Sequence, residues 1–392
     1  MTIPTRIFGF VCALVLALTG QPGAAADPYD IYCIISLTGN GAFIGKEELQ
    51  ALTGLEATLN QSGGIRGRPI HFVIDDDTSN PATAVQLASG IIAKGVPAIV
   101  GPQLVGTCNA VSALVKDGPV IYCMTPGIRP VNGSYIFSGS IAAKDSAAAA
   151  FRYFQSRGLT RIALLVTTDA AGQEAEINIA TALQQPEFRD MKVTTEHFGN
   201  TDLSVLAQLS RVRASGAQGI FIWATGGAFG TTLRSIKESG LGLPVMASSS
   251  NIINAEMEQF SSFLPPQLYF MGTRVFAHDL ARAGPVRDAQ DVFFKSMNAI
   301  HVAPDMGQTF AWEPAFVIVD ALRHLGTGAS ALQVRDYIEN LHGLASINGI
   351  LDFRAGDHRG LAGNSAVIVR WDAQNKTWVA ASEIGGRALT RP

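Results

Sequence analysis

Few side chains in this sequence are placed to do covalent chemistry. Gly-x-Ser-x-Gly, His-Glu-x-x-His and a phosphate-cradling P-loop are all absent. The seven histidines are scattered. His71 and His197 lie on predicted strands, and His358 lies in the loop Asp357-His358-Arg359-Gly360, none beside a Ser or Cys nucleophile. Asp75-Asp76-Asp77 closes a predicted strand without the further oxygen ligands of a calcium loop, so it reads as a hydrogen-bonding corner. The expectation is a chain that is not an enzyme and needs no metal or cofactor. What remains is binding chemistry. Arg129 follows a predicted strand end and offers a planar cation able to grip a carboxylate through two parallel hydrogen bonds. Preceding Pro130 in a turn, it reads equally as a solvated loop arginine. Asp169, in Thr167-Thr168-Asp169-Ala170-Ala171-Gly172, either meets a ligand or caps the helix that follows. Trp312, at helical spacing from Phe316, is either an aromatic wall or core.

The elements that must position these residues alternate regularly. Strands are predicted over 31–36, 70–74, 98–100 and 120–124, with helices over 47–60, 81–94 and 107–116. Asn80 as N-cap, Pro81 at the first helical position and Gly95 as the stop punctuate the second helix. A second set follows a change at 138–144. Asp145 is expected to cap an Ala-rich helix to 156. Strands over 162–166, 192–197, 219–223 and 245–247 then alternate with helices over 173–184, 203–215 and 231–239. A long helix covers 308–324. Two such sets make two doubly wound lobes, whose ligands sit at the carboxyl ends of the strands.

Composition agrees. Residues 1–26 read as a cleavable export signal: Arg6, an apolar run over 7–18 too short for the roughly 20 residues of a membrane span, and Ala24-Ala25-Ala26 as the cleavage site. A chain of about 366 residues after Ala26 is too long for one core. With 16% charged and 47% hydrophobic residues it is globular. Removing Arg6 from 29 basic against 32 acidic residues leaves a charge near −4, and with no basic run nucleic acid is not an expected partner. Cys108 and Cys123 either pair in an oxidising compartment or join Cys33 as buried thiols.

One stretch is more specific than any of these. A strand ending at Thr38-Gly39 leads through a helix to the turn Asn60-Gln61-Ser62-Gly63-Gly64-Ile65-Arg66-Gly67, then to a strand and the pair Asp76-Asp77. The order resembles the branched-chain amino-acid-type periplasmic binding proteins, the solute receptors of ABC importers. The resemblance implies two lobes joined by three crossings, with 27–142 plus about 273–352 in the first and 143–272 plus about 353–392 in the second. It implies a periplasmic monomer that closes on one small solute and delivers it to an inner-membrane permease. A soluble sensor of the same fold would carry the same signature.

The resemblance also places the site. Expected at the cleft are Thr38, Phe43, Leu104, Val105, Gly127, Ile128 and Arg129 from the first lobe, Asp169, Ala171, Thr225 and Ser249 from the second, and Trp312 from the returning helix. Amino-acid-binding members hold the ligand carboxylate with a Ser, here Val105, and with a small residue and a Thr, here Gly127 and Arg129. They hold the ammonium with an acid, here Ser249. A buried ammonium without a counter-charge is very costly. The departures therefore point to a carboxylate without an ammonium, such as a benzoate- or cinnamate-like aromatic acid. Asp169 facing the cleft would restore amine recognition and the amino-acid alternative.

Overall fold

The computed structural model describes residues 27–389, so the expected export signal lies outside the described residues. In the first lobe β1 (Tyr29–Ile35), α1 (Ala42–Gln61), β2 (Ile70–Asp76), α2 (Pro81–Ile92), β3 (Ala98–Val100), α3 (Val105–Ser112), β4 (Val120–Cys123) and β5 (Ile136–Ser138) alternate. They form a parallel sheet in the order β2-β1-β3-β4-β5. The second lobe continues with α4 (Ala143–Ser156), β6 (Arg161–Thr167), α5 (Ala170–Leu183), β7 (Lys192–Phe198), α6 (Leu206–Ala214), β8 (Gly219–Trp223), α7 (Gly226–Ser239), β9 (Val245–Ala247), α8 (Asn254–Gln259) and β10 (Leu268–Thr273). The chain then returns through α9 (Pro285–Ala299), α10 (Met306–Leu325), α11 (Ala331–Asn340) and the hairpin β11 (His342–Ser346)–β12 (Gly349–Asp352). It ends with β13 (Ala366–Asp372) and β14 (Thr377–Ala380), which add antiparallel strands to the second sheet, in the order β14-β13-β10-β9-β8-β6-β7. Helices α9 and α10 pack on α1, so the connections between lobes fall at 139–142, 274–284 and 353–365. This is the expected fold class.

The opening motif is explained by its hydrogen bonds. The Asn60 side chain donates to the Ile70 carbonyl and accepts from the Ile70 amide, at 2.9 and 2.8 Å, fastening the end of α1 to the start of β2. Gly64 sits at φ +56°, and a Cβ there would lie 2.0 Å from the Arg68 carbonyl oxygen. Only glycine closes this turn. The acidic corner stitches β1 to β2. Asp76 accepts from the Leu37 and Thr78 amides and the Thr38 hydroxyl, and Asp77 from the Ser36 hydroxyl and the Ser79 amide. Slight burial would raise the Asp76 pKa, but these bonds outweigh it and hold the carboxyl below its ordinary value.

Two details differ from the sequence reading. Asp145 does not cap α4: the N-cap is Ala142, and Asp145 stands in the first turn, where a carboxylate suits the helix dipole. Helix α7 begins at Gly226 rather than 231. The small residues Gly226, Gly227 and Gly230 hide it from propensity, whereas tertiary packing buries Ala228 and Phe229 on this stretch. Cys108 and Cys123 form a disulfide that ties α3 to the end of β4, and Cys33 remains a buried thiol.

Candidate functional site

In each sheet the strand order reverses beside the first strand of its lobe, between β1 and β3 and between β6 and β8. The loops leaving these strands diverge there and open a crevice. The two crevices face each other across one cavity of about 290 Å³. This lies at the lower end of the usual size for small-molecule sites. Its walls come from the ends of β3, β4, β6, β8 and β9 and from α10.

The first lobe contributes Gln103, Leu104, Val105, Thr107, Met124, Thr125 and Gly127, among others. The second contributes Asp169, Ala171, Asn200, Trp223, Thr225 and Ser248 to Ser250. Of the expected residues, the structure brings Leu104, Val105, Gly127, Asp169, Ala171, Thr225 and Ser249 to this wall. Five expected residues are not part of it. Thr38 is exposed and donates to Asp76. Phe43 meets Phe260 of the second lobe edge-on, with ring centroids 6.5 Å apart. Ile128 is buried in the first-lobe core.

Trp312 faces away from the cavity and packs edge-to-face on Phe293 of α9, centroids 5.1 Å apart. Helical geometry accounts for this: α10 is buried nearly all round, and two residues along a helix is more than half a turn. The face toward the cavity is therefore that of Phe310. The aromatic wall of the second lobe is Trp223, the last residue of β8. Its signal in the sequence is its position, one residue before the Ala224-Thr225-Gly226 strand end.

Arg129 lies outside the cavity lining. Its side chain is 57% exposed, and its guanidinium donates to Glu174 of α5 at 2.9 Å, bridging the lobes at the surface. Asp169 performs two tasks. It is the N-cap of α5, with Oδ1 accepting from the Gly172 amide at 3.0 Å and the Thr167 hydroxyl at 2.8 Å. Its Oδ2 accepts from the Asn200 side-chain Nδ2 at 2.7 Å. A carboxylate has about four lone-pair sites, so one more donor can be received at the cavity wall. Asp169 is the one charged side chain among the described residues lining the cavity.

Two helix N-termini open onto the same space. The N-caps of α3 and α7, Leu104 and Thr225, make no side-chain cap bond. Both lie on the cavity wall, so the positive dipole ends of the two helices lie at it, with the Gly226 amide of α7 turned to the buried Glu256 carboxylate. Opposite partial charges, one carboxylate against two helix ends, thus share a small chamber lined by apolar and neutral polar side chains. The lobes meet closely at its edge: a Cβ on Gly226 would stand 2.7 Å from the Asn40 carbonyl oxygen. Among the described residues no cluster of His, Cys, Asp and Glu could hold a metal, and no helix is long and apolar enough to cross a membrane.

Comparison with known proteins agrees with this architecture. The sequence profile of the periplasmic binding protein family matches residues 30–376. The chain is 22% identical to the leucine-specific-binding protein of Salmonella typhimurium over 267 residues, 65% of this chain and 72% of that one. The crystal structure of a type 1 periplasmic binding protein from Bordetella pertussis superposes with a TM-score of 0.77 at 19% identity, covering 90% of this chain and 99% of that one. The fatty acid ABC transporter substrate-binding protein from Thermomonospora curvata gives 0.75 at 16% identity, covering 93% and 95%. With the family profile spanning both lobes and the cavity at their strand ends, the chain belongs to the periplasmic binding protein family and has its type I, Leu/Ile/Val-binding-like fold.

Proposed function

We propose that this chain is the periplasmic solute receptor of an ABC importer, acting as a monomer, and that it captures an α-amino acid with an apolar or aromatic side chain. The observation that carries this reading is the charge of the cavity wall. Asp169 is its ionisable side chain, while Arg129 stands outside it and is paired with Glu174. The ligand ammonium meets the free lone pair of Asp169, which removes the cost of burying it. The ligand carboxylate meets the uncapped end of α3 and the Thr125 hydroxyl. Leu104, Val105, Met124, Trp223 and Phe310 receive the side chain. The leucine-specific relative supports the amino-acid class, and the fatty acid transporter neighbour supports the partnership with an ABC permease.

The apolar walls and helix ends would also suit an aromatic acid of the benzoate or cinnamate kind, so the test is a ligand pair that differs in the ammonium alone. Calorimetric titration is expected to show L-phenylalanine binding more tightly than 3-phenylpropionate. Tighter binding of 3-phenylpropionate overturns the amino-acid reading and favours the aromatic-acid one. Each ligand should be recovered chemically unchanged.

A further inference from the structure

The loop between β4 and β5 supplies Thr125, Pro126 and Gly127 to the cavity, yet it holds itself in place with very little. Its amides account for Met124 to the Pro102 carbonyl at 3.0 Å and Gly127 to the Thr125 hydroxyl at 3.3 Å. A buried loop must satisfy its carbonyls as well. Three of them are satisfied by Arg359 and its partner Ser138. Arg359, 4% exposed, donates to the carbonyl oxygens of Pro126, at 3.0 Å, and Ile128. It also donates to the Ser138 hydroxyl at 2.8 Å, which in turn donates to the Thr125 carbonyl at 2.6 Å.

Arg359 lies in the third connection between the lobes, and Ser138 ends β5 immediately before the first. The two connections are joined along their backbones, since the Ser138 amide donates to the His358 carbonyl at 3.1 Å. His358 stacks flat on Phe137, centroids 4.2 Å apart, and its ring contacts the Ile136 carbonyl and Glu339, at 2.7 and 2.8 Å. The first connection carries a strained residue, Ser140 at φ +67°. Burial pushes the Arg359 pKa down to about 10, so the guanidinium stays charged at neutral pH.

From this geometry we infer that Arg359 is a positioning residue that locks the ligand-binding loop to two of the three inter-lobe connections, so that ligand contact with Thr125–Gly127 and hinge closure are one event. A guanidinium suits the task because its fixed fork can serve three acceptors at once, which an ammonium cannot. A loop carbonyl that shifts on ligand contact shifts the cation, and with it the paired connections. The inference depends on the cavity's position between the lobes and not on the class of ligand.

The test uses the full mature chain without added ligand. Amide hydrogen exchange is followed by mass spectrometry in wild type, Arg359→Lys and Arg359→Met. In Arg359→Met the amides of 124–129 and 139–142 are expected to exchange about tenfold faster or more, while β1 and β3 keep wild-type protection. Arg359→Lys should recover part of the protection. The second measurement is electron-electron distance spectroscopy between nitroxides on Gln61→Cys and Lys192→Cys. Arg359→Met should broaden the inter-lobe distance distribution. Exchange that rises equally through the first lobe, or an unchanged distance distribution in a folded variant, would mean an ordinary structural arginine and overturn the inference. Neither readout depends on an amino acid binding, so failure here is separate from failure of the proposed ligand class.

Discussion

At the scale of single residues, two charged side chains divide between the surface and the cavity wall. Arg129 has the chemistry of a carboxylate clamp, but it is spent on Glu174 at the surface. Asp169 has the chemistry of a helix cap, and caps α5, while keeping a lone pair for the cavity. Their substitutions should therefore separate. Asp169→Asn keeps an oxygen acceptor but removes the charge. A hydrogen bond to a charged group is worth about 1.5–3 kcal/mol, so L-phenylalanine should bind about 10- to 150-fold more weakly. Binding of 3-phenylpropionate should not weaken. Arg129→Ala loses a rim ion pair of at most about 1 kcal/mol, less than about fivefold in affinity. Calorimetry on both variants checks this. A loss of a hundredfold in Arg129→Ala would restore the clamp.

Neither role is written in local sequence. Asp169 at a strand-to-helix junction is legible as a cap because the Asx-helix pattern is local. Whether its second oxygen faces a cavity depends on Asn200, 31 residues away. Trp312 and Phe310 are two residues apart on one helix, and only the packing of α9 decides which faces the cavity.

At the scale of elements the sequence is more eloquent. Strands over 98–100, 219–223 and 245–247 form where the pattern puts them, because short apolar runs bounded by Gly and Pro have few other uses. Pattern serves less well where tertiary structure overrides propensity, as at the Gly-rich start of α7. The antiparallel strand β13 escapes it too, because its partner β10 lies about a hundred residues earlier in the chain, and β14 is attached to the sheet through β13 alone.

Helix α10 carries the clearest element-level consequence. Glu313 is fully buried beside its Pro314. Burial pushes its carboxyl up to about 7, against the lowering effect of Ser346, the Ser140 amide and Asn348. In the unfolded chain the group titrates near 4.5. The native state therefore holds more protons between these values, and stability should fall as pH rises from about 4.5 to 7. A shift of this size corresponds to roughly 3 kcal/mol. Glu313→Gln should flatten that part of the pH profile in urea denaturation, with its gain over wild type appearing at pH 8 and not at pH 4. An unchanged slope would mean that Glu313 is ionised and fully paired in the native state.

At the scale of the whole molecule, the lobes meet in two kinds of place: at the buried start of α10, where the Met306 amide donates to the Ile252 carbonyl and Asp305 accepts from the Asn254 amide, and around the cavity. The Arg129–Glu174 pair, the edge-on Phe43–Phe260 contact and the close approach of Gly226 to Asn40 all lie around the cavity. None is of a kind that holds two lobes closed alone: an exposed ion pair contributes at most about 1 kcal/mol, and an aromatic pair about 0.5–1.5 kcal/mol beyond its area. On the proposed reading the ligand adds to these by touching both walls at once, Asp169 from one lobe and the α3 end from the other. On the same reading the three connections act as a hinge, the usual device for closing two lobes on a solute. X-ray scattering should accordingly show a smaller radius of gyration with saturating L-leucine or L-phenylalanine, whichever binds more tightly, than without ligand. Phe43→Ala should reduce the affinity while leaving the ligand-free radius unchanged, because the ring makes its inter-lobe contact only when the lobes meet. A radius that stays constant at saturation would mean a preformed cavity and a rigid hinge, and the coupling between loop and connections would then have no motion to transmit.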